Sequence, residues 1–168
     1  MARSKASTTG HSRGDSRDES REQWLRLDRQ LCFALYSSSL AMTRIYKPLL
    51  APLGLTYPQY LVMLVLWEAD GCSVSQLGQR LSLDSGTLTP LLKRLEALGH
   101  IARRRATDDE RRVDIFLTPA GRKLRAQALD IPSHLACATA CELDEVIALT
   151  QRLQQLRQQL NRAADEAA

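Results

Sequence analysis

From Ser73 to Leu117 the chain carries two leucine-bearing helical patterns, a glycine turn between them and an arginine-rich alternating stretch. Few architectures accommodate that order. Val74, Leu77 and Leu81 are spaced for one face of a short helix, and Ser73 with Gln76 three residues on fits a capping box. Leu83-Asp84-Ser85-Gly86 supplies the local hydrogen-bonding side chains and the glycine of a turn. Leu88, Leu91, Leu92, Leu95 and Leu98 then step by three and four onto one stripe, with Gly99 as the stop. Proline is tolerated near a first helical turn, so Pro90 predicts regular helix from near Thr87. The opposite face carries Thr87, Thr89, Pro90, Lys93 and Arg94, small hydroxyls and cations that suit entry into a groove.

After Gly99 come Ile101 to Arg105, a charged tip Thr107-Asp108-Asp109-Glu110-Arg111, and alternating Val113, Ile115 and Leu117. This pattern predicts a β-hairpin bearing Arg103, Arg104, Arg105, Arg111 and Arg112. Helix, turn, helix and basic hairpin make a mainly α fold with a small β-hairpin wing, a winged helix-turn-helix. A small α+β domain with solvated arginines is the alternative. Three features in consecutive register favour a partner of double-stranded DNA.

The 168 residues allow one domain with a dimerisation extension. A net charge of +4 is modest, but the basic residues concentrate in the hairpin, where they matter for a polyanion. No apolar run reaches membrane-spanning length and the first residues lack a signal peptide's hydrophobic stretch, so no membrane contact and a cytoplasmic location are expected. In that compartment the four cysteines are expected as reduced thiols.

Residues 1–22 are rich in Ser, Gly, Arg and Asp and read as a disordered tail. A dimerisation helix and loop is assigned to 23–57, with one long apolar helix from Trp24 to about Leu50. The DNA-binding lobe is assigned to 58–119, its first helix capped by Thr56 with Pro58 in the first turn. Residues 120–168 are assigned to further dimerisation helices: Ala120 to about Leu129, a kink or restart at Pro132, and Glu142 to about Ala164. These terminal helices have no core of their own to build. An intertwined α-helical homodimer would use them, placing two winged units on adjacent half-sites of a near-palindromic operator.

Asp109-Glu110-Arg111 and Leu117-Thr118-Pro119-Ala120-Gly121, within this layout, resemble the MarR family of dimeric winged-helix regulators over roughly Leu25 to Leu160. Leu31-Cys32-Phe33-Ala34-Leu35-Tyr36-Ser37, and the segment from Leu83 to Glu96, are similar to the organic hydroperoxide resistance regulators in their two-cysteine form. The resemblance implies a transcriptional repressor, not an enzyme, that leaves DNA when one cysteine is oxidised by an organic hydroperoxide. It implies Cys32 as the sensing thiol, Tyr46 and Tyr57 as hydrogen-bond donors to that sulfur across the dimer, and Cys137 as the resolving thiol in an intersubunit disulfide. It also implies Arg111 at the minor groove, oriented by Asp109.

The residues themselves leave alternatives open. A cysteine in an apolar helix is ordinarily an inert small hydrophobe. Tyr36 shares a face with Cys32 one turn on, and core filler is its competing role. Tyr46 lies fourteen residues from Cys32, which along a continuous helix is about 21 Å, so it reaches its own Cys32 only if the helix breaks, whereas a partner subunit packed antiparallel could bring it near. Cys141, read as one helical turn beyond Cys137, is a second resolving candidate, and Cys72 reads as structural. His134, Cys137 and Cys141 would share one helical side but lack a fourth ligand, so neither a metal nor a cofactor is expected. The rival functions are a repressor answering a small phenolic ligand with Cys32 a bystander, a thiol peroxidase, and a structural dimerisation module.

Overall fold

The structure is a computed structural model that describes residues 22–106, 109 and 111–167. It follows the sequence as helix α1 (Leu31–Leu50), α2 (Tyr57–Glu68), strand β1 (Cys72–Ser73), α3 (Val74–Leu81), α4 (Ser85–Ala97), β2 (Ile101–Arg105), β3 (Val113–Leu117), α5 (Pro119–Gln127), α6 (Ile131–Thr139) and α7 (Leu143–Glu166). It is mostly helical with one small sheet, the winged helix-turn-helix anticipated from the pattern. The strands order β1-β3-β2, all antiparallel, with Ile101 opposite Leu117 and Cys72 opposite Ile115.

Local signals explain most boundaries. Thr56 caps α2 with a reciprocal Gln59 bond and Pro58 in the first turn, and Ser73 with Gln76 does the same for α3. Thr118 accepts the Gly121 N–H to start α5, and Pro132 falls in the first turn of a restarted α6. Three expectations need correction. The first long helix begins at Leu31 rather than Trp24: a 3-10 turn at Leu27–Arg29 and extended Gln30 precede it. Trp24 and Leu25 are exposed, so tertiary packing does not draw them into helix. Helix α4 begins at Ser85 rather than near Thr87, because Asp84 is its cap and Pro90 lies inside. The carbonyl that Pro90 leaves without an N–H is that of exposed Gly86. Finally, Leu98 leaves the buried stripe at 47 % exposure, where the chain turns out of α4 through left-handed Gly99.

The chain divides into two compact units, one ending at Thr43 and one from Arg44 onward. The second holds the core, where Val62, Met63, Leu66, Leu77, Leu88, Leu95, Ile101 and Ile115 are fully or almost fully buried. Leu50, Leu53 and Leu55 before α2 and Leu124, Ala128 and Ile131 after β3 join it, on both sides of the span 58–119 expected for the DNA-binding lobe. Helix α7 buries none of its residues, and Leu143, Leu149 and Leu160 are more than half exposed. Among the described residues no single helix is long and apolar enough to cross a membrane.

Candidate functional site

The turn between α3 and α4 is set by backbone economy. Leu83 donates its N–H to the Gly78 carbonyl at 2.9 Å, and a Cβ on Gly78 would meet the Leu83 carbonyl at 2.8 Å. Ser82 takes a left-handed φ of 54°, which ends α3. The Asp84 carboxylate then accepts both the Thr87 N–H at 2.9 Å and the Thr87 hydroxyl at 2.8 Å. The Thr87 amide and hydroxyl hold that carboxyl below its ordinary range. With Leu88, Leu92 and Leu95 buried, α4 presents Thr87, Pro90, Lys93 and Arg94 outward, and Thr89 half-buried. The Thr89 hydroxyl donates to the Ser85 carbonyl at 2.7 Å. Both threonine protons are therefore committed within their own helix.

The wing closes through Ala106 N–H to the Arg112 carbonyl and Arg112 N–H to the Asp109 carbonyl, each at 2.9 Å. Asp109 Oδ1 accepts the Arg111 backbone N–H at 2.9 Å. Asp109 thus fixes Arg111 through the turn's backbone, and exposed Arg111 keeps its side chain at the tip. Thr107, Asp108 and Glu110 of the charged tip lie outside the described residues, as do residues 1–21 of the tail. Behind the tip, Arg112 pairs with Asp114 at 3.2 Å and Arg104 stacks over Phe116 at 5.2 Å.

Between wing, α3 and α4 lies a cleft of about 280 Å³ whose lining includes Ser73, Ser75, Thr89, Arg103, Arg111 and Arg112. The motifs along the chain do not mark Ser75 as a site residue, nor Arg103 beyond the hairpin's charge. Arg103 stands on the same strand face as Ile101 by two-residue alternation, the one local hint to its inward course. Its backbone N–H and guanidinium both face Glu96.

The wing is clamped at its base. Asp70 Oδ1 accepts the Leu117 N–H at 2.7 Å and the Gly71 N–H at 3.0 Å, while Oδ2 pairs with Arg122. Partial burial opposes ionisation of Asp70, but these partners outweigh it and set its carboxyl below the ordinary range. A Cβ on Gly121 would stand 2.0 Å from the His100 carbonyl, so only glycine fits where α5 meets β2. Trp67 Nε1 donates to the Gly121 carbonyl at 3.0 Å.

All four cysteines are free thiols. Cys32, the second residue of α1, is exposed, and Tyr36 one turn on is 62 % exposed. Cys72 is half-buried and donates to the Ala69 carbonyl. Cys137 lies exposed in α6. Cys141 does not continue that helix: Ala140 takes a left-handed φ of 51° and ends it, so His134, Cys137 and Cys141 do not share one helical side. Among the described residues no three His, Cys, Asp or Glu side chains gather to hold a metal.

The structure brings Tyr46 and Tyr57 together, ring centroids 4.5 Å apart, with Tyr60 at 5.9 Å from Tyr46 and Trp67 at 6.1 Å from Tyr60. Burial, then the neighbouring phenols of Tyr57 and Tyr60, push Tyr46 up to about 12. Burial also raises Tyr57. Both phenols therefore remain neutral donors at physiological pH. Cys32 and Tyr36 belong to the unit that ends at Thr43, and Tyr46 and Tyr57 to the other.

Residues 44–127 match the family described as Transcriptional regulator SarA/Rot. The organic hydroperoxide resistance transcriptional regulator of Bacillus subtilis is 51 % identical over 70 % of this chain and 80 % of its own. The HTH-type transcriptional regulator TtmR of Methylorubrum extorquens is 54 % identical over 82 % of this chain and 71 % of its own. Among solved structures, reduced AbfR bound to DNA, a Staphylococcus epidermidis protein, is 34 % identical with a TM-score of 0.70, covering 84 % of this chain and 99 % of that one. These relatives are transcription regulators rather than enzymes, and the chain belongs to the SarA/Rot family of winged helix-turn-helix transcriptional regulators, alongside the Bacillus organic hydroperoxide resistance regulator.

Proposed function

We propose that this regulator is a repressor that grips a near-palindromic operator as a reduced homodimer and releases it when an organic hydroperoxide oxidises Cys32. One observation carries the reading: the free Cys32 thiol is exposed on a stretch of α1 whose apolar side chains Leu31, Phe33, Tyr36 and Leu40 are also exposed. A sulfur set in an uncovered apolar face suits a thiol that a second subunit encloses. Among relatives, the Bacillus protein is named for organic hydroperoxide resistance, and AbfR has been solved reduced on DNA and with a disulfide formed.

The chemistry balances without a cofactor. The Cys32 thiolate attacks the peroxide O–O bond, giving a sulfenic acid and an alcohol. The partner's Cys137 thiol then attacks that sulfur, expelling water and forming the intersubunit disulfide. Neutral Tyr46 and Tyr57 donate to the Cys32 sulfur across the dimer, and Tyr36 is a further phenol one turn from Cys32. The outward side chains of α4 (Thr87, Thr89, Pro90, Lys93, Arg94) serve the major groove, and Arg111, held by Asp109, the minor groove. The bridge displaces α6 and with it the spacing of the two recognition helices, so operator affinity falls. The protein acts in the cytoplasm.

A cleft of about 180 Å³, whose lining includes Tyr60, Leu64, Trp67 and Arg125, favours a second reading in which a small phenolic ligand triggers release. Mobility shifts on a duplex selected from a random pool separate the two. Cumene hydroperoxide should release wild type but not Cys32→Ser, and salicylate should release neither. Release of Cys32→Ser by the peroxide would end the redox reading.

A further inference from the structure

Cys137 and Cys141 are both exposed free thiols, four residues apart, and the helix stops between them. In an unbroken helix, side chains at this spacing stand about 5–6 Å apart between Cβ atoms, beyond the roughly 3.5–4.5 Å of a disulfide. Here α6 ends at Thr139, Ala140 turns left-handed, and α7 begins only at Leu143. Ala140 closes the helix with a long N–H bond to the Cys137 carbonyl itself, 3.4 Å, and Cys141 donates its thiol to the Thr139 carbonyl, also 3.4 Å. Cys141 therefore lies outside any helical hydrogen-bond ladder, next to the last turn that carries Cys137. The break at Ala140 releases Cys141 from the fixed spacing that a continuous helix would impose on the two sulfurs. Cys137, Ala138, Ala140 and Cys141 are exposed and Thr139 is half-buried.

We infer that Cys137 and Cys141 form an intrachain dithiol–disulfide couple that takes over the oxidising equivalents from Cys32. The inference rests on the proposed intersubunit bridge between Cys32 and Cys137. In that state the Cys141 sulfur, having given its proton to solvent, attacks the Cys137 sulfur. The Cys32–Cys137 bond breaks, the Cys137–Cys141 bond forms, and Cys32 leaves as a thiolate that solvent reprotonates. One disulfide is exchanged for another, with no further oxidant or reductant. The covalent link between subunits is thereby transient, and Cys32 is restored to meet a second peroxide while the first oxidation stays recorded at the joint after α6.

Two measurements on the full-length chain test it. In a time course after one equivalent of cumene hydroperoxide, followed on non-reducing gels, the wild-type covalent dimer should form and then decay to monomer. That monomer should be 2 Da lighter than the reduced chain, with the bond mapped to Cys137–Cys141. The Cys141→Ser dimer should persist at least tenfold longer. Equal persistence in both proteins would overturn the couple, whereas absence of any covalent dimer would instead strike at the bridge that precedes it. The second measurement does not depend on Cys32: Cys32→Ser, equilibrated in glutathione buffers of graded potential, should lose 2 Da at Cys137–Cys141. Separate glutathione adducts on the two thiols, with no such loss, would overturn the couple even if the bridge forms.

Discussion

Asp70 and Leu117 are joined across forty-seven residues by a 2.7 Å bond from the Leu117 N–H to a carboxylate that also pairs with Arg122. One side chain so ties the loop after α2, the end of the wing strand β3 and the first turns of α5. Asp70→Ala leaves the part-buried Leu117 N–H without its acceptor, at a cost of about 1–3 kcal/mol in stability. Because the folded carboxyl lies below its ordinary value, this contribution is present above the unfolded pKa, about 3.9, and fades as pH falls through the folded value. Denaturation midpoints of wild type and Asp70→Ala should therefore converge at acid pH. A difference that held constant down to acid unfolding would remove the carboxylate from the account.

The opposite sign applies to Tyr46. Its folded phenol is pushed up to about 12, so its contribution is complete below the ordinary phenol value near 10 and is lost as pH rises toward 12. Ultraviolet titration should show a late-ionising phenol that disappears in Tyr46→Phe. If the substitution removed only an ordinary tyrosine phase, the buried stack with Tyr57 would not govern its ionisation.

On the proposed docking, Arg111 and Asp109 would differ in what they give to DNA. Arg111→Ala removes a cation and should lower the slope of log affinity against log salt by about 1. Asp109→Asn removes the carboxylate's charge but keeps an acceptor for the Arg111 N–H, whereas Asp109→Ala removes that acceptor too, without removing a cation. Asp109→Ala should weaken binding with the salt slope unchanged. Matching slopes for the two alanine variants would mean that Arg111 reaches no phosphate.

Gly121→Ala places a methyl 2.0 Å from the His100 carbonyl, against 2.8 Å from the Leu83 carbonyl for Gly78→Ala. Overpacking of this kind costs about 1–3 kcal/mol and more where backbone opposes backbone. Thermal denaturation should rank Gly121→Ala as the more damaged. The reverse order would show that α5 slides freely on β2.

What the sequence disclosed was whatever its signals settle within a few residues. Ser73 and Gln76 announce a capping box because the motif spans one turn, and Val113, Ile115 and Leu117 announce a strand because alternation needs no partner. Pro90 misled for the same reason: read locally it marks a first turn, but Asp84 starts the helix earlier and the proline is carried inside. Nothing local marks Ala140 as the end of α6, so the pattern alone extends to Cys141 a helix that does not reach it. Arg103 and Ser75 meet Thr89 only through the packing of wing on helices, which no window along the chain contains.

The inward-turned hydroxyl protons of Thr87 and Thr89 carry a consequence for any base they meet. With their donors spent on Asp84 and Ser85, these side chains retain lone pairs and methyl groups. Of the edges displayed in a major groove, they suit the amino groups of adenine and cytosine and the thymine methyl, and guanine is left to Lys93 and Arg94.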